Sequence, residues 1–203
     1  MADISPLDLY CALMEEIKLR VSFIEHIRER ESPVPIITKE CCYLQLRMIH
    51  ELMAIACIAI QSRHVNIGRL EKQWSANEIM PQIEKLNPAF FPKAIQLKRS
   101  TEGHLVGIIE PADQPLTKAT FLKTYGRLGD LLHRGTLKKI TSAMPASPVD
   151  LSDVLEMTTA IKTLLGLHSI HAPDNTRYYC EMHHRPENNK VALFSGLFFP
   201  DPK

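Results

Sequence analysis

The segment Met48–Ile60 constrains the fold most, because apolar residues occupy nearly every side of the helix that it predicts. A helix that is apolar all round has to be buried all round, so other elements must surround it. We therefore predict a central helix over about 38–61, in which Arg47, His50 and Glu51 are the polar exceptions. A buried charge needs a partner, and Arg47 and Glu51 are four residues apart. We expect them to contact each other or a neighbouring helix.

Three further main helices are predicted around the central one. Over about 6–31 an apolar residue recurs every three or four positions, beginning after Ser5 and Pro6. Serine is a favoured capping residue, and proline is well tolerated in the first turn of a helix. The same apolar spacing predicts helices over about 117–134 and 148–165. A capping-box sequence, SANE, predicts a short additional helix.

The clearest strands come last in the chain. Short β-prone runs follow residue 166 and are separated by the turn sequences PDNT and RPENN. A second hairpin is predicted at about 93–110 from the runs AIQLK and HLVGII. The predicted fold class is α+β, mostly α: a helical bundle of four main helices with a small C-terminal antiparallel β-meander. We expect residues 1–166 to form the bundle, with the 93–110 hairpin as an insertion, and 167–203 to form strands packed on the same core.

The charge balance excludes a global electrostatic attraction to nucleic acid or membranes. The chain has 24 basic and 23 acidic residues, so any such contact has to come from a local patch. The longest apolar run, LMAIACIAI, has nine residues, whereas a membrane span needs about 20. The N-terminus lacks the basic residues of a secretory signal, and five cysteines do not suggest a disulfide framework. We expect a soluble, cytoplasmic protein with no membrane partner.

The stretch TYGRLGDLLHRG, residues 124–135, is the clearest candidate site. It places Arg127 and His133 six residues apart on a predicted helix. An imidazole can move protons near neutral pH, and a guanidinium can hold a phosphate. This arrangement resembles the R-x4–6-H signature of the HEPN superfamily, helical bundles that include ribonucleases of toxin–antitoxin and antiviral systems. The resemblance implies a protein of a bacterial conflict or stress system that cleaves RNA without metal, with His133 as acid/base and Arg127 as phosphate ligand.

Neighbouring residues complete this hypothesis. Tyr125 and Asp130 lie beside the pair on the helix, and Arg47 and Glu51 are candidates to support it. Six residues turn a helix by about 600°, which leaves the two side chains about 120° apart around the axis. Arg127 and His133 could therefore meet only across a cleft shared with a second helix or a second subunit, so we expect a homodimer.

Two other functional hypotheses and a purely structural interpretation stay open. Gly126, Gly129 and His133 lie in one row of the helix, where glycines would let another backbone approach closely. In the structural interpretation this row only packs tightly, and His133 bonds a neighbouring carbonyl. In the first functional hypothesis the protein is a non-catalytic interaction module whose sheet or glycine-lined helix docks a protein partner. Alternatively, it is a small-molecule sensor with a pocket between the helices predicted at 38–61 and 117–134.

Metal and cofactor sites are not predicted. His168, His171, Cys180 and His183 superficially resemble a zinc-binding pattern, but residues three apart on a strand point to opposite faces. The chain also lacks G-x-G-x-x-G, a phosphate loop ending in GK[ST], H-E-x-x-H and G-x-S-x-G. We therefore expect no metal and no cofactor.

Overall fold

The computed structural model describes residues 4–30, 34–102, 104–133, 149–184 and 188–197. Within them the fold is a mixed α+β structure of five α-helices and an antiparallel sheet near the C-terminus. The helices are α1 (Pro6–Glu29), α2 (Pro35–Ser62), α3 (Ala76–Leu86), α4 (Lys118–Leu132) and α5 (Ser152–Gly166), with a 3-10 turn at Gly68–Lys72. The strands are β1 (Lys93–Ala94), β2 (Gln96–Arg99), β3 (Leu105–Ile109), β4 (Leu167–His171), β5 (Thr176–His184) and β6 (Lys190–Leu197).

The prediction of four main helices is one too low, because α3, predicted only as a short additional helix, is a full member of the core. Its residues Ile79, Met80 and Ile83 are completely buried. Ser75 lies at its N-cap as the capping-box sequence predicts, but its side chain makes no capping hydrogen bond. Burial of the apolar face, rather than the cap, therefore holds this helix in place.

Helix α2 occupies the centre, as its apolar composition predicts. It contacts α1, α3, α4 and α5, and nearly every residue from Leu52 to Gln61 is buried. The helix begins at Pro35, about one turn before the predicted start, because proline suits the first helical position. By length and composition α2 could cross a membrane, but 67% of its most apolar 18-residue window is buried inside the fold. A soluble core helix passes the same test, and the cytoplasmic location stays a prediction.

Helix α1 packs on α2 through one apolar stripe. Ser5 caps it by accepting a hydrogen bond from the Asp8 backbone N–H at 3.1 Å, as predicted. The buried side of the helix consists of Tyr10, Met14, Ile17, Val21 and Ile24.

The main sheet has four antiparallel strands in the order β1–β4–β5–β6. Strands β4, β5 and β6 form the predicted meander, and Asn175 takes the positive φ of 67° that the β4–β5 turn requires. The predicted middle hairpin divides into two parts: β1 joins the main sheet, whereas β2 and β3 form a separate two-stranded sheet. Strand residues such as Ile170 and Tyr178 belong to the same hydrophobic cluster as the helices.

Some predicted boundaries lie outside the described residues. They include Arg134, the predicted last residue of the helix over 117–134, and residue 148, the predicted first residue of the helix over 148–165. Within the described residues α4 ends at Leu132 and α5 begins only at Ser152. The strands predicted to run to residue 203 are described only as far as 197.

Candidate functional site

Helix α4 carries the predicted catalytic residues and is fixed at its start by a side-chain cap. Thr117 accepts a hydrogen bond from the backbone N–H of Thr120 at 3.2 Å. Phe121, Tyr125 and Leu128 form the buried side of the helix. His133 is exposed at the C-terminal end, where its backbone N–H still bonds to the Gly129 carbonyl oxygen at 3.2 Å.

Arg47, Glu51 and Tyr125 form a connected cluster between α2 and α4. The Arg47 Nε lies 3.3 Å from Glu51 Oε1, and Arg47 Nη2 donates to Tyr125 Oη at 3.2 Å. The Tyr125 hydroxyl in turn donates to Glu51 Oε1 at 3.0 Å. Burial, together with the Glu51 carboxylate, raises the pKa of Tyr125, so the hydroxyl keeps its proton and can donate. The expected contact of Arg47 and Glu51 with each other and with a neighbouring helix is present.

The Arg47 guanidinium rests on α4 at Gly129. A β-carbon at position 129 would lie 2.6 Å from Arg47 Nη1, so only glycine leaves room for the guanidinium in this position. His133 follows Gly129 by one helical turn, and its backbone N–H still bonds to the Gly129 carbonyl. Arg47 of α2 is therefore the cation that lies against the side of α4 on which Gly129 precedes His133.

Arg127 lies on a different side of α4. Its Nη2 bonds to Asp153 Oδ2 of α5 at 3.2 Å. Asp153 also accepts a hydrogen bond from the Tyr43 hydroxyl at 2.6 Å and lies 3.4 Å from Lys39 Nζ. Arg127 and Gly129 are about 200° apart around the helix. Arg127 thus faces α5, whereas Arg47 lies at the Gly129 side.

The surroundings of the two glycines of α4 differ from those that the sequence predicts. Among the described residues, no atom outside the neighbouring backbone of α4 lies within 4 Å of a β-carbon built at Gly126, and Gly129 accommodates the Arg47 guanidinium rather than another backbone. Within the described residues, neither glycine therefore contacts another backbone of the same chain, and the docking of a protein partner on this row stays a prediction. Asp130 is exposed on the same helix.

A cavity lies between α4 and α5, with His50 of α2 among its lining residues. Its volume is about 150 Å³. The His50 ring is only 1% exposed and stacks at 4.6 Å, centroid to centroid, on Phe121. Its Nδ1 lies 2.7 Å from the Leu46 carbonyl oxygen, while Nε2 has no hydrogen-bond partner among the described residues. A buried polar atom without a partner costs about 1–3 kcal/mol, so this atom needs an explanation.

Sequence reasoning identified His50 only as a polar exception in an apolar helix and missed Asp153 altogether. The signal for His50 was its position within a segment buried on every side. Asp153 gave no such signal, because its contacts with Lys39, Tyr43 and Arg127 join three segments far apart in the chain.

The zinc-like spacing does not assemble as a metal site. The buried His168 uses both ring nitrogens: Nε2 lies 2.6 Å from the Tyr10 hydroxyl and Nδ1 lies 2.7 Å from the Leu165 carbonyl oxygen. Cys180 is buried and His183 is exposed, as the alternation of a strand requires. Within the described ranges, no group of three or more His, Cys, Asp or Glu residues is placed to hold a metal ion.

Comparisons of the chain with models of protein families, with curated proteins and with solved structures gave no match.

Proposed function

We propose that this chain is a HEPN-like helical protein of a bacterial conflict or stress system, and that it cleaves RNA as a homodimer without a metal ion. The observation that supports the proposal best is the position of the Arg47 guanidinium against Gly129, one turn before the exposed His133. The proposal keeps His133 as the acid/base and assigns the phosphate to Arg47 instead of Arg127, because Arg127 is already bonded to Asp153.

The chemistry that we assign to this site is transesterification within the RNA backbone. The His133 imidazole takes the proton of a ribose 2′-hydroxyl, whose oxygen attacks the neighbouring phosphorus. The bond from phosphorus to the 5′-oxygen breaks, which leaves a 2′,3′-cyclic phosphate and a 5′-hydroxyl. Arg47 stabilises the added negative charge on the phosphate oxygens, since a planar guanidinium donates two parallel hydrogen bonds.

Glu51 and Tyr125 position Arg47 in this scheme. Both bond to its guanidinium, and the side chain of Arg47 remains 25% exposed, so a phosphate can reach it. Tyr125 is 2% exposed and serves as a fixed support rather than as a group that contacts RNA.

The homodimer has a chemical reason. One imidazole cannot accept the 2′ proton and, in the same step, protonate the departing 5′-oxygen. A second copy of the chain would supply the second group across the shared cleft: its own His133, as imidazolium, gives a proton to the 5′-oxygen and becomes neutral.

Cleavage of a fluorescent single-stranded RNA in the presence of EDTA tests the proposal. We expect His133→Ala to lower the rate by about 10² to 10⁴, the usual contribution of general acid–base catalysis. Its melting temperature should not change, because the side chain is exposed. Arg47→Lys should lower the rate about tenfold or more, since it keeps the charge and loses the paired donors. His104→Ala is the matched control: His104 is exposed in the connection between β2 and β3, and its replacement should not affect the rate.

Arg127→Ala decides which arginine holds the phosphate. The proposal predicts that this variant cleaves RNA faster than Arg47→Lys. The opposite order would return the phosphate to Arg127 and contradict the assignment made from Gly129.

A non-catalytic interaction module is the second candidate, and the β2–β3 sheet favours it. This sheet stands apart from the main one and exposes Leu97, Val106, Ile108 and Ile109. The same assay separates the two functions, because an interaction module would show no turnover in the wild type.

A further inference from the structure

We propose that the cavity between α4 and α5 binds an uncharged molecule with a single ring, which donates an O–H or N–H hydrogen bond to Nε2 of His50. The inference does not depend on RNA cleavage, since neither His133 nor Arg47 lines this cavity.

The volume sets the size of the ligand. About 150 Å³ is the size of an engineered cavity in another protein that binds one benzene ring. Five of the eleven residues that line it are apolar: Pro115, Leu116, Met157, Ala160 and Ile161. A six-membered ring fills such a space and buries its faces against these side chains.

His50 determines which end of the ligand points inward. The Leu46 carbonyl can only accept a hydrogen bond, so the Nδ1 that lies 2.7 Å from it must carry the proton. In a neutral imidazole the other nitrogen, Nε2, is then an acceptor. Burial lowers the pKa of His50 to about 4, so the ring is neutral at physiological pH.

The Nε2 acceptor lies on the edge of the ring away from the Leu46 carbonyl, because Nδ1 bonds to that carbonyl. His50 lines the cavity, and Nε2 has no hydrogen-bond partner among the residues that the structure describes. A ligand that donates one hydrogen bond from within the cavity would satisfy this atom.

The charges in and beside the cavity balance one another. Arg127, Asp153 and Glu156 line it, and Lys39, which does not line it, lies 3.4 Å from Asp153 Oδ1. Two cations against two anions give no preference for a charged ligand, and the apolar walls disfavour one.

A matched pair of probes tests the inference on the full chain. Phenol and fluorobenzene have nearly the same size, but only phenol donates a hydrogen bond. We expect phenol to bind at least tenfold more tightly than fluorobenzene and to displace it, as followed by ¹⁹F NMR of fluorobenzene. In the same samples, the ¹⁵N resonance of His50 Nε2 should shift with phenol and stay in place with fluorobenzene.

Two variants test the hydrogen-bond acceptor and the volume of the cavity separately. His50→Phe keeps a ring of similar size and removes the acceptor, so the affinities for the two probes should come within about twofold of each other. Ala160→Met fills the cavity without touching His50 and should abolish the binding of both probes. If His50→Phe does not fold, the ¹⁵N shift in the wild type still decides the question.

Three results would overturn the inference: equal affinities of the wild type for phenol and fluorobenzene, binding that persists in Ala160→Met, or an unshifted Nε2 resonance at saturating phenol. None of these would affect the RNA-cleavage proposal, whose variants His133→Ala and Arg47→Lys lie outside the cavity.

Discussion

Two histidines, His50 and His168, lie in the interior with 1% and 0% of their surface exposed. Burial lowers the pKa of each to about 4, whereas the same side chain in the unfolded chain has a pKa of about 6.5. Between these values the unfolded chain binds a proton that the folded one does not. The free energy of unfolding therefore falls as the pH falls through this window.

We predict an acid-labile fold on this basis. From pH 7 to pH 5, each buried histidine should lower the free energy of unfolding by about 2 kcal/mol, before most carboxylates titrate. Urea unfolding at several pH values measures this loss. His50→Phe should remove about half of it, because His168 remains. A wild type whose stability is the same at pH 7 and pH 5 would contradict the burial of neutral histidines.

For individual residues, the sequence predicts contacts between residues that are close together in the chain and misses contacts between residues that are far apart in it. Arg47 and Glu51 could be paired from their four-residue spacing alone. Tyr125 was expected near the site but not as the partner of both. The pairing of Arg127 with Asp153 joins two helices separated by residues 133–151, and no local pattern encodes it.

Among the elements, α4 contains two glycines in unlike surroundings. A β-carbon at Gly126 would meet nothing within 4 Å, whereas one at Gly129 would displace the Arg47 guanidinium. Both positions are helical, so alanine should gain about 1 kcal/mol at each from helix propensity alone. Only at Gly129 is this gain offset by the loss of the Arg47 contacts.

The pair gives a direct prediction for chemical denaturation. Gly126→Ala should stabilise the protein by about 1 kcal/mol, and Gly129→Ala should be at least about 1 kcal/mol less stable than Gly126→Ala. In an Arg47→Ala background the difference should disappear, because the clash and the lost contacts are then absent. Equal effects of the two alanines in the wild type would show that Arg47 does not rest on Gly129.

Elements with a long apolar pattern were predicted well, and short ones were not. Helices α1 and α2 follow from their apolar patterns, with boundaries that differ from the prediction by at most three residues. Strand β1 has two residues, too few for any period, and its pairing with β4 depends on a strand more than 70 residues later. The sequence could not separate it from the β2–β3 hairpin.

For the whole molecule, the order of elements along the chain was enough to predict the fold class. Helices that precede the clearest strands indicate an α+β fold, and the structure shows one. The number of helices was underestimated because α3 is short and contains Pro81. The quaternary structure depends on surfaces that no pattern in one chain specifies, so the homodimer rests on the chemistry proposed for His133.

A mixing experiment tests the homodimer. If the shared cleft needs one His133 from each of the two copies, an excess of His133→Ala chains should lower the RNA-cleavage rate per wild-type chain. Most wild-type chains would then be paired with an inactive partner. Light scattering should also give twice the mass of one chain. An unchanged rate per wild-type chain would show that each chain acts alone.

The central claim is metal-independent RNA cleavage by the imidazole of His133, and the ends of the RNA products test it most directly. With EDTA present, the wild type should produce fragments that end in a 2′,3′-cyclic phosphate and begin with a 5′-hydroxyl, and His133→Ala should produce none. Fragments with 3′-hydroxyl and 5′-phosphate ends, or cyclic-phosphate ends that persist in His133→Ala, would contradict the account.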